Sequence, residues 1–220
     1  MQRIPEPEPM DLAEEARAYA DADFADVNAA FVERLVELAG PREAALALDL
    51  GTGPADIPLR LWRRRPGWKI AAADVSRAML ELARGPLAEA GAAVWLVEQD
   101  SKGSPFKDGA FDVVFSNSIL HHISDTGRFW AEVRRVCRPD TLLFLRDLAR
   151  PDSEEAAAAI VERYSGKESD LLKEEFHRSL LSAYTVEEVR AQLAEAGLDG
   201  LRVETVTDRH LDVFGTAGQK

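Results

Sequence analysis

The segment from Ala44 to Pro54 constrains the fold of this chain more than any other part. It reads Ala-Ala-Leu-Ala-Leu-Asp-Leu and continues at once as Gly51-Thr52-Gly53-Pro54. An apolar run of this length is typical of a strand buried on both faces, and the glycines that follow it indicate a tight turn. Glycine permits positive φ and lets a ligand approach the backbone closely. The segment therefore predicts a central strand that ends in a turn able to hold a ligand.

Strands and helices alternate along the next hundred residues. Short apolar runs predict further strands over 69–73, 94–97, 111–115 and 141–145. Amphipathic segments between them predict helices that begin near Ala55, at a Ser76 cap and at Ser124. Gly85 and Pro86 predict a kink or break in the second of these helices. This alternation implies right-handed crossovers and a mainly parallel sheet.

Further elements are predicted on both sides of this alternating core. The Pro/Glu run over 5–9 predicts an extended, solvated leader, and 11–39 carries a helical pattern. After Pro151 the pattern predicts a helical insertion, with one helix capped by Ser153 and a second over about 170–182. Thr185 and Glu188 match a capping box, and the runs 201–206 and 211–214 predict a final hairpin at a sheet edge.

Acidic residues lie at the ends of three consecutive predicted strands. They are Asp49, Asp74 and Asp100. Carboxyl ends of parallel strands meet at one edge of a sheet, where open α/β sheets bind ligands. Nucleotide-binding sheets place an acid at the position of Asp74 to accept hydrogen bonds from ribose hydroxyls. A purely structural glycine turn, and a helix-capping role for Asp74, stay open as alternatives.

The charge pattern narrows the choice of ligand. The chain holds 27 basic and 39 acidic residues, a net charge of −12, and this field repels phosphate backbones. Asp56 stands where a dinucleotide fingerprint needs a small residue to receive a pyrophosphate, and no Gly-Lys-Ser/Thr follows the turn as in a P-loop. Three acids suit a cationic nucleoside instead, such as an adenosine joined to a sulfonium.

The motifs between Leu46 and Leu148 resemble those of class I S-adenosylmethionine-dependent methyltransferases. They are Asp49-Leu50-Gly51-Thr52-Gly53, Asp74-Val75-Ser76, Asp100, Phe111-Asp112-Val113-Val114 and Leu120-His121-His122. The resemblance implies an α/β fold with a Rossmann-like, mainly parallel seven-stranded sheet, a reversed last strand, N-terminal helices and a helical cap insertion. It also implies S-adenosylmethionine as the cofactor and S-adenosylhomocysteine as its product. One departure is Ala55, which stands where the family has a third glycine.

The resemblance also implies a cofactor site. Its residues are Asp49, Gly51, Thr52 and Gly53 along the methionine part, Asp74 at the ribose, Val75 and Met79 beside the adenine, Asp100 and Ser101 at the polar edge of the adenine, and Ser116 near the amino-acid end.

The reaction implied is methyl transfer to a small-molecule acceptor by in-line displacement. Because a sulfonium methyl is already activated, proximity and orientation are the main requirements and a general base is optional. We expect such a base after the fourth strand, where Asn117 and His121 share one face if the turn is helical; packing over the cofactor is the alternative for His121. Candidates for the acceptor site are Tyr19, Phe24, Arg146, Asp147, Tyr164, Phe176 and His177.

The remaining expectations concern metals, partners and location. One cysteine and four histidines show no metal-ligand spacing, so no metal is expected. No apolar stretch has the length of a spanning helix or resembles a signal peptide, which favours a cytoplasmic protein without membrane or nucleic-acid partners. We expect a monomer or homodimer. Each chain is expected to form a single domain, with the N-terminal leader and helices over 1–40, the cofactor-binding core over 41–150, the cap over 151–184 and the C-terminal helix and hairpin over 185–220. A nicotinamide-dependent oxidoreductase and a non-catalytic cofactor-binding partner subunit stay open as alternatives.

Overall fold

A computed structural model describes residues 1–6, 16–17, 20 and 24–218 of the chain. Its strands within these ranges are β1 Leu46–Leu50, β2 Lys69–Asp74, β3 Val94–Glu98, β4 Phe111–Asn117, β5 Cys137–Leu148, β6 Arg202–Thr205 and β7 His210–Thr216. Its helices are α1 Ala25–Ala39, α2 Asp56–Arg64, α3 Arg77–Ala90, α4 Thr126–Val136, α5 Glu154–Ser165, α6 Asp170–Ser182 and α7 Val186–Glu195, with a 3₁₀ turn over Leu120–His122.

The seven strands form one sheet in the order β3-β2-β1-β4-β5-β7-β6. Strands β1 to β5 are parallel, whereas β7 runs antiparallel to both β5 and β6. The expected mainly parallel sheet with a reversed last strand and a final hairpin is confirmed. The chain order reverses at β1, which lies between β2 and β4, and such a switch point opens a crevice at the carboxyl ends of the strands.

Both faces of the sheet are buried, as the continuous apolar strands predict. Ala47 of β1 belongs to a core cluster with Phe31 of α1, while the adjacent Leu48 belongs to a second cluster with Trp130 of α4. Successive side chains of a strand point to opposite faces, so β1 contributes side chains to both clusters. Phe31 also stacks on Phe144 of β5, with ring centroids 4.6 Å apart. Helices thus cover the two faces and leave the carboxyl edge for a ligand.

Helix α3 runs without interruption through Pro86, so of the expected kink or break the break is wrong, and the kink stays a prediction. Its buried positions continue on both sides of the proline, at Met79, Leu80, Ala83 and Leu87. Burial of this apolar face stabilises the helix more than the backbone hydrogen bond missing at the proline destabilises it. The Ser76 cap is confirmed, since the Ser76 hydroxyl accepts a hydrogen bond from the Met79 amide at 3.3 Å.

Other boundaries differ modestly from the expectations. Strand β5 begins at Cys137 rather than Thr141, because Cys137 pairs with Phe111 ahead of a register shift in β4. Helix α4 is capped by Asp125 rather than Ser124, through a hydrogen bond from the Arg128 amide. The helices capped by Ser153 and by the Thr185 capping box are confirmed.

The expected solvated leader is contradicted at Glu6, whereas Met1, Gln2, Ile4 and Pro5 are exposed. The Ile4 amide donates to the Leu181 carbonyl at 3.0 Å, and the Glu6 side chain is only 6% exposed. The rest of the Pro/Glu run and most of the expected helical segment before residue 24 lie outside the described residues. Among the described ranges, no helix is long and apolar enough to cross a membrane.

Ala55 lies in the left-handed region, with φ 61° and ψ 30°, at the start of α2. A Cβ in this conformation is destabilising by about 1–2 kcal/mol, and glycine avoids the strain. We therefore expect Ala55→Gly to raise the midpoint of thermal unfolding by about 2–4 °C, for a net gain near 1 kcal/mol after the lost methyl burial. Ala83→Gly is the matched control, since Ala83 is buried in the same cluster within α3, and it should lower the midpoint. A lower midpoint for Ala55→Gly would contradict the strain argument.

Candidate functional site

The turn after β1 is tightly packed against its neighbours. The Gly51 and Thr52 amides both donate to the Ala73 carbonyl of β2, at 2.9 and 3.0 Å. Gly51 has φ 73°, and a Cβ at this position would lie 2.8 Å from the Ile119 side chain. Glycine is therefore required at position 51 both by conformation and by space. The turn lies between the end of β2 and the segment that follows β4.

Asp74 connects the ends of β1 and β2. Its Oδ2 accepts a hydrogen bond from the Gly53 amide at 2.8 Å, and its Oδ1 accepts one from the Ser76 amide at 2.8 Å. A carboxylate oxygen can accept more than one hydrogen bond, and a carboxylate at this place is the kind of group that binds ribose hydroxyls. The carboxylate is thus held against the glycine turn in a fixed orientation.

Asp49 is almost completely buried, with 2% exposure, in β1 immediately before the turn. Burial, with a smaller contribution from the nearby Asp74 carboxylate, raises the pKa of Asp49 to about 8. A buried acid of this kind binds a proton near neutral pH unless a cation lies beside it. The site therefore favours a positively charged ligand.

The end of β3 supplies polar groups of different kinds. Asp100 is exposed, accepts a hydrogen bond from the Lys102 amide at 2.8 Å and forms an ion pair with the Lys102 ammonium, whereas Ser101 is buried. Gln99 is also buried, and neither polar atom of its side chain has a hydrogen-bond partner in the described structure. The sequence analysis missed Gln99, although a polar residue at the end of an apolar strand is a usable signal. An unsatisfied amide fits the polar edge of a base.

The two residues expected beside the adenine differ in exposure. Val75 is 48% exposed just after β2, and Met79 is 4% exposed in the first turn of α3. Ser116, expected near the amino-acid end, is buried in β4 and donates to the Leu50 carbonyl at 2.5 Å. This bond connects β4 to the end of β1 beside the glycine turn.

Asn117 and His121 do not share a helical face. Asn117 is the last residue of β4, Ser118 has φ 59°, and His121 lies in the 3₁₀ turn. The positive φ at Ser118 turns the chain sharply, which the four-residue spacing alone does not reveal. Their catalytic roles stay predictions.

Asp147 fixes the ring of His121. The Asp147 Oδ1 lies 2.5 Å from His121 Nδ1, and its Oδ2 accepts from the Leu120 amide at 2.6 Å. Burial would raise the pKa of Asp147, but His121 and the Leu120 amide outweigh it and hold this pKa below its usual value. Burial would likewise lower the pKa of His121, but the Asp147 and Glu6 carboxylates outweigh it. The carboxylate is therefore ionised and holds the imidazole through Nδ1, with Nε2 directed to the other side.

The N-terminal leader also packs against His121, a contact that the sequence did not predict. Arg3 donates to the His121 carbonyl at 2.8 Å and to the Ser182 carbonyl at 2.6 Å, and it lies over the Tyr184 ring. Glu6 Oε1 lies 3.5 Å from His121 Nε2. Burial is the main reason that the pKa of Glu6 is raised. A run of prolines and glutamates gave no signal for this docking, because its contacts are all distant in sequence.

The expected acceptor residues are not all free to bind a ligand. Arg146 forms a two-point ion pair with Asp212, at 2.7 and 2.8 Å. Tyr164 is 44% exposed and donates to Asp208 at 2.8 Å. Phe176 packs on the cluster between α5 and α6, Phe24 and His177 are half-buried, and Tyr19 lies outside the described residues.

Comparison with known proteins connects this geometry to a family. A family model described as a methyltransferase domain matches residues 48–145. The malonyl-[acyl-carrier protein] O-methyltransferase of Geobacter sulfurreducens is 32% identical over 203 residues, which cover 90% of this chain and 73% of that protein. The chain belongs to the class I S-adenosylmethionine-dependent methyltransferases.

Two further relatives of this methyltransferase chain show how far the similarity extends. The demethylmenaquinone methyltransferase of Thermus thermophilus is 34% identical over 118 residues, so the match spans about half of each protein, 54%. The crystal structure of a methyltransferase from Aquifex aeolicus superposes with a TM-score of 0.69 at 20% identity, covering 92% of this chain and 97% of that one. The second comparison supports the fold alone.

The residues present fit S-adenosylmethionine, the cofactor of this family. The buried Asp49 favours a cation, and Gln99 offers an unsatisfied amide for a base. Asp74 places a carboxylate, the group that binds ribose hydroxyls, against the glycine turn. Asp56, at the first position of α2, opposes a diphosphate as the sequence predicts.

Proposed function

We propose that this chain binds S-adenosylmethionine at the carboxyl ends of β1, β2 and β3 and transfers its methyl group to a small-molecule acceptor. The observation that carries the proposal is the hydrogen bond from the Gly53 amide to Asp74, which joins the glycine turn to the acid expected at the ribose. The names of the relatives give different acceptors, a demethylmenaquinone in one case and a carrier-bound malonyl group in another. The shared donor therefore supports the reaction class more strongly than any single acceptor.

The cofactor supplies an activated methyl group, and the residues of the chain bind and orient it. Asp74 accepts hydrogen bonds from the ribose hydroxyls, while the backbone of the glycine turn lies along the methionine part. Asp49 ionises beside the cationic end of the ligand. Ser116 and Ile119 hold the segment after β4 against the glycine turn. This packing fixes the position of the segment expected to line the acceptor site relative to the turn that binds the cofactor. Orientation and exclusion of water are the main contributions to rate.

The net charge of −12 supports a small acceptor rather than nucleic acid. A cytoplasmic location and a monomeric or homodimeric state complete the proposal. Gel filtration with light scattering tests the oligomeric state.

Calorimetric titration with S-adenosylhomocysteine tests the proposal without knowledge of the acceptor. We expect a Kd in the micromolar range, which corresponds to about −8 kcal/mol. NAD and NADP are the controls, and they should bind at least a hundredfold more weakly because Asp56 stands where their pyrophosphate would lie. Equal binding of NAD, or no binding of S-adenosylhomocysteine by folded protein, would favour the oxidoreductase or another ligand.

A further inference from the structure

A cluster of potential metal ligands lies beyond the cofactor-binding residues. Its members are Glu6, His121 and His122, hereafter the Glu6 cluster, and their donor atoms all lie within 4.8 Å of one another. Glu6 Oε1 lies 3.1 Å from His122 Nδ1 and 3.5 Å from His121 Nε2. The side chains of Glu6, His121 and His122 are 6%, 4% and 18% exposed. Glu6 of the leader and His121 of the 3₁₀ turn are 115 residues apart in sequence, and the fold brings these two side chains and His122 together.

Hydrogen bonding does not account for this arrangement. Glu6 Oε1 is buried and makes no hydrogen bond in the described structure, although two imidazole nitrogens face it. The ion-pair contacts of this oxygen with the two imidazoles lack hydrogen-bond geometry, so they compensate only in part for its lost hydration. A cation held between the oxygen and the two nitrogens would contact all three donor atoms at once.

The outer atoms of the same side chains are already held in place. Asp147 binds His121 at Nδ1, which leaves Nε2 for a ligand, and the Ser179 hydroxyl donates to Glu6 Oε2 at 3.3 Å, which leaves Oε1. Metal-binding histidines almost always make such a bond through the other ring nitrogen, and ligating carboxylates are hydrogen-bonded in turn. These supports orient the donors toward a common centre.

The donor set indicates which cation fits. Two imidazole nitrogens and one carboxylate oxygen are a common catalytic zinc set, with bonds of about 2.0–2.1 Å. The corners of a tetrahedron with such bonds are about 3.3 Å apart, close to the observed 3.1 and 3.5 Å. We propose that Glu6, His121 and His122 bind one Zn²⁺ ion, with Asp147 as the positioning residue of His121.

This site changes the role expected of His121. A zinc ion at Nε2 uses the lone pair that would accept a proton, so the base and ligand roles exclude each other at this nitrogen. Three protein ligands leave a fourth position for water or for an acceptor atom. Coordination there would lower the pKa of an acceptor and would assist loss of its proton to water, in place of the optional base.

Titration of the metal-free full chain with zinc chloride tests the proposal. We expect one Zn²⁺ per chain by calorimetry, a higher unfolding midpoint with zinc, and the intense visible bands of a tetrahedral site when Co²⁺ is added instead. Glu6→Gln and His122→Asn should each weaken zinc binding at least tenfold, and Asp147→Asn should weaken it about 10–100-fold. Glu204→Gln, at an exposed acid of β6, is the matched control and should bind like the parent chain.

Two results would overturn the proposal. One is the absence of stoichiometric zinc binding, and the other is equal zinc affinity in the parent, Glu6→Gln and His122→Asn chains. Either would mean that the Glu6 cluster is an ion-paired packing contact of the leader. Titration of the same preparations with S-adenosylhomocysteine reports the cofactor site separately, so failure of the zinc site and failure of the methyltransferase proposal are distinguishable.

Discussion

Replacement of Asp74 by alanine should weaken binding of S-adenosylhomocysteine at least a hundredfold. The substitution removes the acceptor for two ribose hydroxyls and releases the Gly53 and Ser76 amides, which Asp74 holds at 2.8 Å each. Hydrogen bonds to a charged group contribute about 1.5–3 kcal/mol each, so loss of the two ribose bonds alone corresponds to about 3 kcal/mol or more. Calorimetric titration of the folded variant measures the effect.

Asp112→Ala is the matched control for this experiment. Asp112 also accepts a hydrogen bond from a backbone amide of β1, that of Leu46 at 2.7 Å, and it pairs with Arg138. It stands at the opposite end of β1 from the glycine turn, so its loss should lower stability and leave cofactor affinity nearly unchanged. Equal affinity losses in the two variants would trace the Asp74 effect to general loosening of the sheet rather than to the ribose.

The parallel sheet and its ligand edge are predictable from the sequence because their signals are local. The run from Ala44 to Leu50 is apolar except at Asp49, as a strand covered on both faces favours. Glycine at position 51 is favoured by both φ and space. The capping box at Thr185 is likewise a short-range pattern. The order of the strands was not predicted, because it depends on crossovers that no short segment encodes.

The features that the sequence analysis missed depend on contacts between distant segments. Pro86 is a local break signal, yet buried residues on both sides keep α3 intact. The docking of Glu6 against His121 joins residues that no periodicity relates, and it turns the expected solvated leader into part of the site. The pairing of Asp147 with His121 also joins residues distant in sequence. Asp147 was expected to line the acceptor site, but only the fold shows which histidine it contacts.

Cofactor binding should release a proton near neutral pH, through Asp49. With a pKa of about 8, this carboxyl is mostly protonated in the free protein at pH 7. A cationic ligand binds the ionised form better, so we expect release of up to about 0.9 proton per S-adenosylmethionine bound at pH 7, and affinity that rises up to about tenfold per pH unit until pH 8. Titrations in buffers of different ionisation enthalpy measure the release. Asp49→Asn should abolish it and weaken binding, whereas an unchanged proton release would place the titrating group elsewhere.

The same group contributes to the pH dependence of folding. The folded-state pKa of Asp49 lies above its value of 3.8 in the unfolded chain, so the folded protein binds the proton more tightly. This contribution to stability is therefore fully present below pH 4 and is lost as the pH rises toward 8, with a slope of up to about 1.4 kcal/mol per pH unit. Denaturant unfolding of the ligand-free parent and of Asp49→Asn across this range measures it, and the variant should show the flatter profile. A saturating cationic ligand should reduce the slope of unfolding free energy against pH in the parent chain, because it keeps Asp49 ionised throughout. The stability of the fold therefore depends on occupancy of the cofactor site.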